Sequence, residues 1–139
     1  MLETLHLLCQ LFSRDSITVA EVAHVVGSGK ITTAPDQPIV IEPRASDFQR
    51  IVISRIGSSD IPTHVTLTPA RGKVLLIGQL RAVYGDFQIL PRSNFLSAQR
   101  VLFAVKEQGM LHTSLIVAEI DTERVSDDSR VALLMVRRE

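Results

Sequence analysis

The sequence lacks the residues from which several classes of protein are built. It contains a single cysteine, Cys9, which excludes an internal disulfide and favours a reducing compartment. It has no tryptophan and only 4% aromatic residues, too few for the aromatic platforms on which nucleic-acid bases stack. No apolar run approaches the roughly 20 residues that a membrane-spanning helix requires. We therefore expect a soluble, cytoplasmic protein, without a membrane and without nucleic acid as a partner.

The motifs of common catalytic and cofactor sites are also missing. There is no Gly-x-Ser-x-Gly elbow, and the four histidines show no paired metal-ligand spacing. Gly27-Ser-Gly-Lys30 resembles the end of a phosphate-binding loop. However, His24 stands where that loop needs its first glycine, and Ile31 replaces the Ser or Thr after the lysine. We predict no cofactor and no metal, and we favour a non-catalytic protein over an enzyme.

The residues that are present describe a globular chain with helices. With 139 residues, of which 45% are hydrophobic, the chain fits a single domain, residues 1–139, with a sizeable core. The second helix begins with Thr18 and Glu21 spaced as a capping box. On the third helix, Leu76, Leu80 and Val83 share one stripe, which predicts that all three are buried. The three predicted helices cover about 2–12, 18–27 and 74–84.

Extended segments lie on both sides of the central helix. Residues 28–38 and 86–99 contain glycine or proline at positions that favour loops. The apolar and alternating runs between the loops and helices predict strands. The fold class is therefore α+β, an antiparallel sheet with helices on one face. The six predicted strands cover about 38–42, 49–55, 63–68, 100–106, 112–120 and 131–137.

The two halves of the chain resemble each other. Residues 49–68 overlay 99–118 without a gap, so that Arg50 falls on Arg100 and Thr63 on Thr113. The segments 17–27 and 75–85 overlay at a slightly different offset. This pattern predicts two tandem helix-plus-three-strand repeats, with chance similarity between strands as the alternative. The repeats would cover about 14–69 and 72–137.

A duplication of this kind would leave one face of the sheet free of helices. In outline this arrangement resembles the tandem repeats of the β-lactamase inhibitor protein family, although no diagnostic motif of that family is matched. An open sheet face is a natural docking surface for another protein.

Charge is distributed unevenly although the net charge is zero. Residues 1–43 and 107–139 each carry a net charge of −3, whereas residues 44–106 carry +6. The positive middle segment predicts a basic surface for an anionic partner. The alternative is that its bases pair with acids of the two end segments. The candidate interaction residues are Arg50, Arg55, Arg71, Lys73, Arg81, Arg92 and Arg100.

These observations favour a small non-catalytic protein-binding module of the inhibitor, immunity or adaptor type. It would use the exposed sheet face or the basic surface, and a homo-oligomer is compatible with either. A first alternative is a small enzyme whose site lies near His64, His112 and Asp86, because the overlay puts both histidines at strand starts. A second alternative is a binder of anions or nucleic acid.

Overall fold

The structure, a computed structural model, describes residues 1–27, 29–43, 46–92 and 98–139. Over these ranges the chain forms three helices and an antiparallel sheet of eight strands, so the predicted α+β class is confirmed. In chain order the elements are α1 (Leu2–Phe12), α2 (Val19–Val26), β1 (Gly29–Thr32), β2 (Ile39–Pro43), β3 (Phe48–Arg55), β4 (Pro62–Pro69), α3 (Ile77–Tyr84), β5 (Gln88–Ile89), β6 (Gln99–Val105), β7 (Ser114–Ile120) and β8 (Val131–Arg138).

The two N-terminal helices form where the sequence predicts them. In α1, Leu5, Leu8 and Cys9 are fully buried along one stripe. Before α2, the hydroxyl oxygen of Thr18 accepts a hydrogen bond from the amide of Glu21 at 3.2 Å. The carboxylate of Glu21 in turn accepts one from the amide of Thr18, also at 3.2 Å. The predicted capping box is therefore present, and it satisfies amides that a helix start leaves without partners.

The central helix is shorter than predicted and buries a different stripe. It begins at Ile77, because Leu76 is in an extended conformation and forms a β-bridge to Arg130. Ile77 and Leu80 are fully buried, but Val83 is 51% exposed, so its predicted burial is wrong. At 100° per residue, Val83 lies roughly 90° from the stripe formed by Ile77, Leu80 and Tyr84. Within the described ranges, no helix has the length and apolar character needed to cross a membrane.

Two strands form in segments predicted as loops. β1 and β5 occupy the two edges of the sheet, where each pairs with a single neighbour. An edge strand needs only one hydrogen-bonded ladder, so it tolerates nearby breakers better than a central strand does. Pro35, Pro38 and Pro91 all lie outside these two strands. Residues 28 and 93–97 of the predicted loops lie outside the described residues.

The strand order is β1-β2-β3-β4-β8-β7-β6-β5, with β4 and β8 pairing at the centre. Each half of the sheet is a four-strand meander that follows a helix, α2 in one half and α3 in the other. This order gives β3 and β7 equivalent positions, and likewise β4 and β8. The sequence overlay instead matches β3 with β6 and β4 with β7. A duplication of the chain therefore stays a prediction.

The core lies between the helices and one face of the sheet. Alternate strand residues point to this side, among them Val65 and Leu67 on β4 and Leu134 and Val136 on β8, all fully buried. They form one hydrophobic cluster with the buried residues of all three helices. The helices are consequently gathered on one side of the sheet.

Candidate binding surface

The second face of the sheet is covered by none of the three helices. Successive residues of a strand point to opposite sides, so the residues between the core positions project here. We call this side the open face and define it by three rows of cross-strand neighbours. The central row is Val40, Val52, Thr66, Met135, Val117 and Leu102. The charged row is Glu42, Arg50, Thr68, Leu133, Glu119 and Arg100, where Thr68 and Leu133 become neighbours when the register of β4 and β8 is continued by one residue. The histidine row is Ser54, His64, Arg137, Leu115 and Ala104.

The central row is an apolar strip that crosses six strands. The strand register places Val52 beside Thr66, Thr66 beside Met135, and Met135 beside Val117. Each of these side chains is half-buried, because its neighbours on the sheet cover its sides and leave its end accessible. A contiguous apolar strip that remains accessible is typical of a surface that another molecule covers.

The charged row alternates in sign along the sheet. Glu119 on β7 stands directly opposite Arg100 on β6. Continuing the register of β2 and β3 by one residue places Glu42 opposite Arg50. From β2 to β6 the row therefore runs acidic, basic, neutral, neutral, acidic, basic.

The histidine row contains the one perturbed imidazole of the open face. His64 lies between Ser54 and Arg137 in the strand register. Its Nδ1 lies 3.1 Å from the hydroxyl oxygen of Thr63. Partial burial, and secondarily the positive charge of Arg137, lower the pKa of His64 below its ordinary value. The imidazole is therefore neutral near pH 7, and it adds no charge to the row.

The structure does not assemble the predicted catalytic group. His64 lies on the open face, whereas Nε2 of His112 lies 2.6 Å from Oδ1 of Asp15, in the connection between α1 and α2. Asp86 lines a separate depression beside α3. Within the described part of the chain, no group of three His, Cys, Asp or Glu side chains is arranged to hold a metal ion.

Two of the seven predicted interaction residues lie on the open face. Arg50 is exposed on β3, and Arg100 is half-buried on β6. Strands β4, β8 and β7 lie between them. Four strand spacings of about 4.8 Å separate the two backbones by roughly 19 Å. Arg100 therefore stands at one end of the charged row, and Arg50 stands next to Glu42 at the other end.

Two other predicted interaction residues, Arg55 and Arg92, form hydrogen bonds within the chain. The guanidinium of Arg55 donates a hydrogen bond to the carbonyl oxygen of Gln37 at 3.2 Å. That of Arg92 donates to Oε1 of Gln99 at 3.1 Å and to the carbonyl oxygen of Glu123 at 3.0 Å. Both side chains are thus engaged in holding the chain together.

The remaining three are distributed elsewhere. Arg81 on α3 pairs with Asp127 at 2.7 Å, and Nζ of Lys73 lies 3.5 Å from Oδ1 of Asp47. Arg71 is exposed in the connection between β4 and α3. The seven residues therefore do not share one face. Their participation in an interaction stays a prediction.

Several residues of the open face were missed by sequence reasoning. Val117 and Leu115 lie in an apolar run, which favours a strand covered on both sides. Met135 lies in a similar run on β8. Along β7 and β8 the burial alternates at Val117 and Met135, whereas Leu115 is itself buried and is placed on this face by the strand register alone. Thr66 offered the better signal, because it lies in a strand of alternating polar and apolar residues.

A cleft of about 220 Å³ lies at one end of the sheet. Phe12, Ile17 and Ile61 contribute apolar walls, and Asp15 and Arg138 lie at its margin. The guanidinium of Arg138 donates a hydrogen bond to the carbonyl oxygen of Phe12 at 3.2 Å. It thereby satisfies one of the carbonyl groups that the end of α1 leaves without a helical partner.

The open face is thus an accessible surface that six strands build together. It combines an apolar centre with charged margins, and it draws on strands from both halves of the chain. No protein-family model, curated protein or solved structure matches this chain.

Proposed function

We propose that this protein is a small non-catalytic protein-binding module that holds its partner on the open face of the sheet. The observation that carries the proposal is the central row, a half-buried apolar strip across six strands with charged residues beside it. Protein interfaces have this composition, with an apolar centre that excludes water and a polar rim that stays solvated. An inhibitor, immunity or adaptor role fits such a surface equally well.

The chemistry of the surface supports binding over catalysis. Catalysis requires groups held within hydrogen-bonding reach of one another and of a reacting atom. His64, His112 and Asp86 are not gathered in this way, and they provide no support for the enzyme alternative. The dispersed basic residues likewise give no specific support to an anion or nucleic-acid binder.

A cytoplasmic location is part of the proposal. Its support is Cys9, a free and fully buried thiol in a chain with no second cysteine. Burial, and secondarily the charge of Glu107, raise the pKa of Cys9 to about 12. The thiol is therefore protonated and unreactive at neutral pH, as expected of a core residue.

Site-specific photo-crosslinking in the native host tests the proposal. A photoreactive amino acid replaces Thr66, in the middle of the central row, and in a matched variant it replaces Ala20, which is exposed on α2. We expect a protein adduct of higher mass from position 66 and none from position 20. A charge introduced within the same row by Val117→Lys should abolish the adduct, because it cannot be buried without a counter-charge.

Two crosslinking results would contradict the proposal. If position 66 gives no protein adduct, or if positions 66 and 20 give the same adducts, the open face is not a specific binding surface. Mass spectrometry of the adduct identifies the partner in the same experiment.

A further inference from the structure

The charged row repeats its order of signs in the two halves of the sheet. In one half, Glu42, Arg50 and Thr68 run from β2 inward to β4. In the other half, Leu133, Glu119 and Arg100 run from β8 outward to β6. Reflection across the line between β4 and β8 places β3 on β7 and β2 on β6. At both of these strand pairs, an acidic position of the charged row then falls on a basic one.

Because of this order of signs, a two-fold axis in the plane of the open face brings opposite charges of two copies together. If the axis runs parallel to the strands between β4 and β8, a second copy places its β7 over β3 and its β6 over β2. Arg50 then faces Glu119 of the second copy, and Glu42 faces Arg100 of the second copy. Symmetry makes each contact twice, so all four charges on each side meet opposite charges.

The other two rows are compatible with the same axis. Along the central row, Val52 meets Val117 of the second copy, and Thr66 meets Met135. Along the histidine row, His64 meets Arg137 of the second copy, and the two Arg137 side chains lie on either side of the axis, at the exposed end of β8. Two sheets packed in this way lie about 10 Å apart, and the axis aligns the strands of one copy with those of the other, within the roughly 30° that packed sheets allow.

The dimensions of the face suit a stable dimer. Six strands about 4.8 Å apart, each of about seven residues, cover roughly 24 by 23 Å. The edge strands β1 and β5, of four and two residues, extend this footprint to roughly 650 Å². Each partner in a standard stable interface contributes roughly 600–1,000 Å² of surface.

We propose that the open face pairs with the same face of a second copy of this chain, about a two-fold axis parallel to the central strands. This inference rests on the proposed function, because it names the partner of the same surface. Arg50 and Glu119 form the critical contact, since their strands lie only about 7 Å from the axis. The axis keeps the two side chains at the same position along the strands, and a long arginine side chain helps to span the distance between the sheets.

Analytical ultracentrifugation of two charge-reversed variants tests the pairing. At up to about 100 µM, above the micromolar upper end of Kd for interfaces of this size, we expect the wild-type chain to sediment as a dimer. Arg50→Glu and Glu119→Arg should each weaken dimerisation by about 100-fold or more, because each homodimer then contains two like-charge contacts. Glu3→Arg, a reversal on the exposed side of α1, should leave the dimer intact.

Mixing the two variants gives the decisive result. In the mixed dimer, Glu at position 50 of one chain meets Arg at position 119 of the other, and the second contact keeps its native charges. We therefore expect two monomeric variants to form a dimer when combined. Circular dichroism of each variant checks folding, and a general loss of structure would not be repaired by mixing.

Two results would overturn the inference: a monomeric wild-type chain, or a mixture of folded variants that stays monomeric. The crosslinking result at position 66 distinguishes a failure of the self-pairing inference from a failure of the proposed function. An adduct with a different protein leaves the proposed function standing without self-pairing. The absence of any adduct, together with a monomeric chain, removes both.

Discussion

The backbone amide of Gly78 donates a hydrogen bond to the carbonyl oxygen of Asp127 at 2.9 Å, which joins the first turn of α3 to the loop between β7 and β8. The adjacent amide of Ile77 donates to the carbonyl oxygen of Ser129 at 3.0 Å. Helix starts leave such amides without partners, and here a loop distant in sequence supplies the acceptors. A Cβ atom at position 78 would lie only 2.9 Å from that of Asp127.

Gly78→Ala should therefore destabilise the protein, although the same change in an open helix stabilises it by about 1 kcal/mol. The added methyl group meets a backbone carbonyl and a Cβ atom that cannot move without breaking the loop contact. We expect a loss of about 1–3 kcal/mol in the free energy of unfolding, measured with urea. Ala82→Ser, at an exposed position of the same helix, should change it by less than about 0.5 kcal/mol. A gain in stability at position 78 would show that the contact is loose.

Leu80→Asp and Val83→Asp should differ sharply, since the first position is fully buried and the second is 51% exposed. At position 80 the substitution removes a core side chain and inserts a carboxylate without a partner. We expect a loss of more than about 4 kcal/mol there, enough to unfold many domains of this size. Val83→Asp should retain the native circular dichroism spectrum and most of the melting temperature. Similar effects at both positions would contradict the observed orientation of α3.

Tyr84→Phe should maintain or increase stability. The hydroxyl group of Tyr84 is buried and has no hydrogen-bond partner among the described residues, and burial raises its pKa. Removing an unsatisfied polar group recovers part of its desolvation cost, between zero and about 3 kcal/mol. Tyr84→Ala should instead lower the free energy of unfolding by about 3 kcal/mol or more, because it removes a ring whose centroid lies 6.5 Å from that of the Phe103 ring. Chemical denaturation of both variants measures the difference, and a clear loss in Tyr84→Phe would reveal a partner for the hydroxyl.

The stability of the protein should fall on mild acidification, in part through His64. Because its pKa is lower in the folded chain, protonation favours the unfolded state. The contribution of His64 is complete above its ordinary pKa of about 6.5 and is lost as the pH falls through the lower folded value. Urea denaturation at about pH 7.5 and about pH 5 should therefore show a smaller difference for His64→Gln than for the wild type. His24→Gln, at an exposed position of α2, is the control, and an unchanged difference in His64→Gln would exclude this role.

The parts of the fold that the sequence predicts correctly depend on local interactions. The capping box of Thr18 and Glu21 joins residues three apart, and the apolar stripe of α1 repeats with the helical period. The alternation around Thr66 similarly indicates a strand with one covered side. Each of these signals lies within a few residues, so no knowledge of the tertiary structure is needed to read it.

What the sequence determined by itself is the class of the fold and the position of its main helices and strands. The tertiary structure decided which side of each apolar strand faces solvent, because Val117 and Met135 become neighbours only when β7 and β8 pair. It likewise decided that Val83 is exposed, since the direction of a short helix depends on the sheet beneath it. The opposed charges of Arg50 and Glu119 lie 69 residues apart in the sequence. Their symmetric placement emerges only from the strand order, because cross-strand pairing connects residues that no local pattern relates.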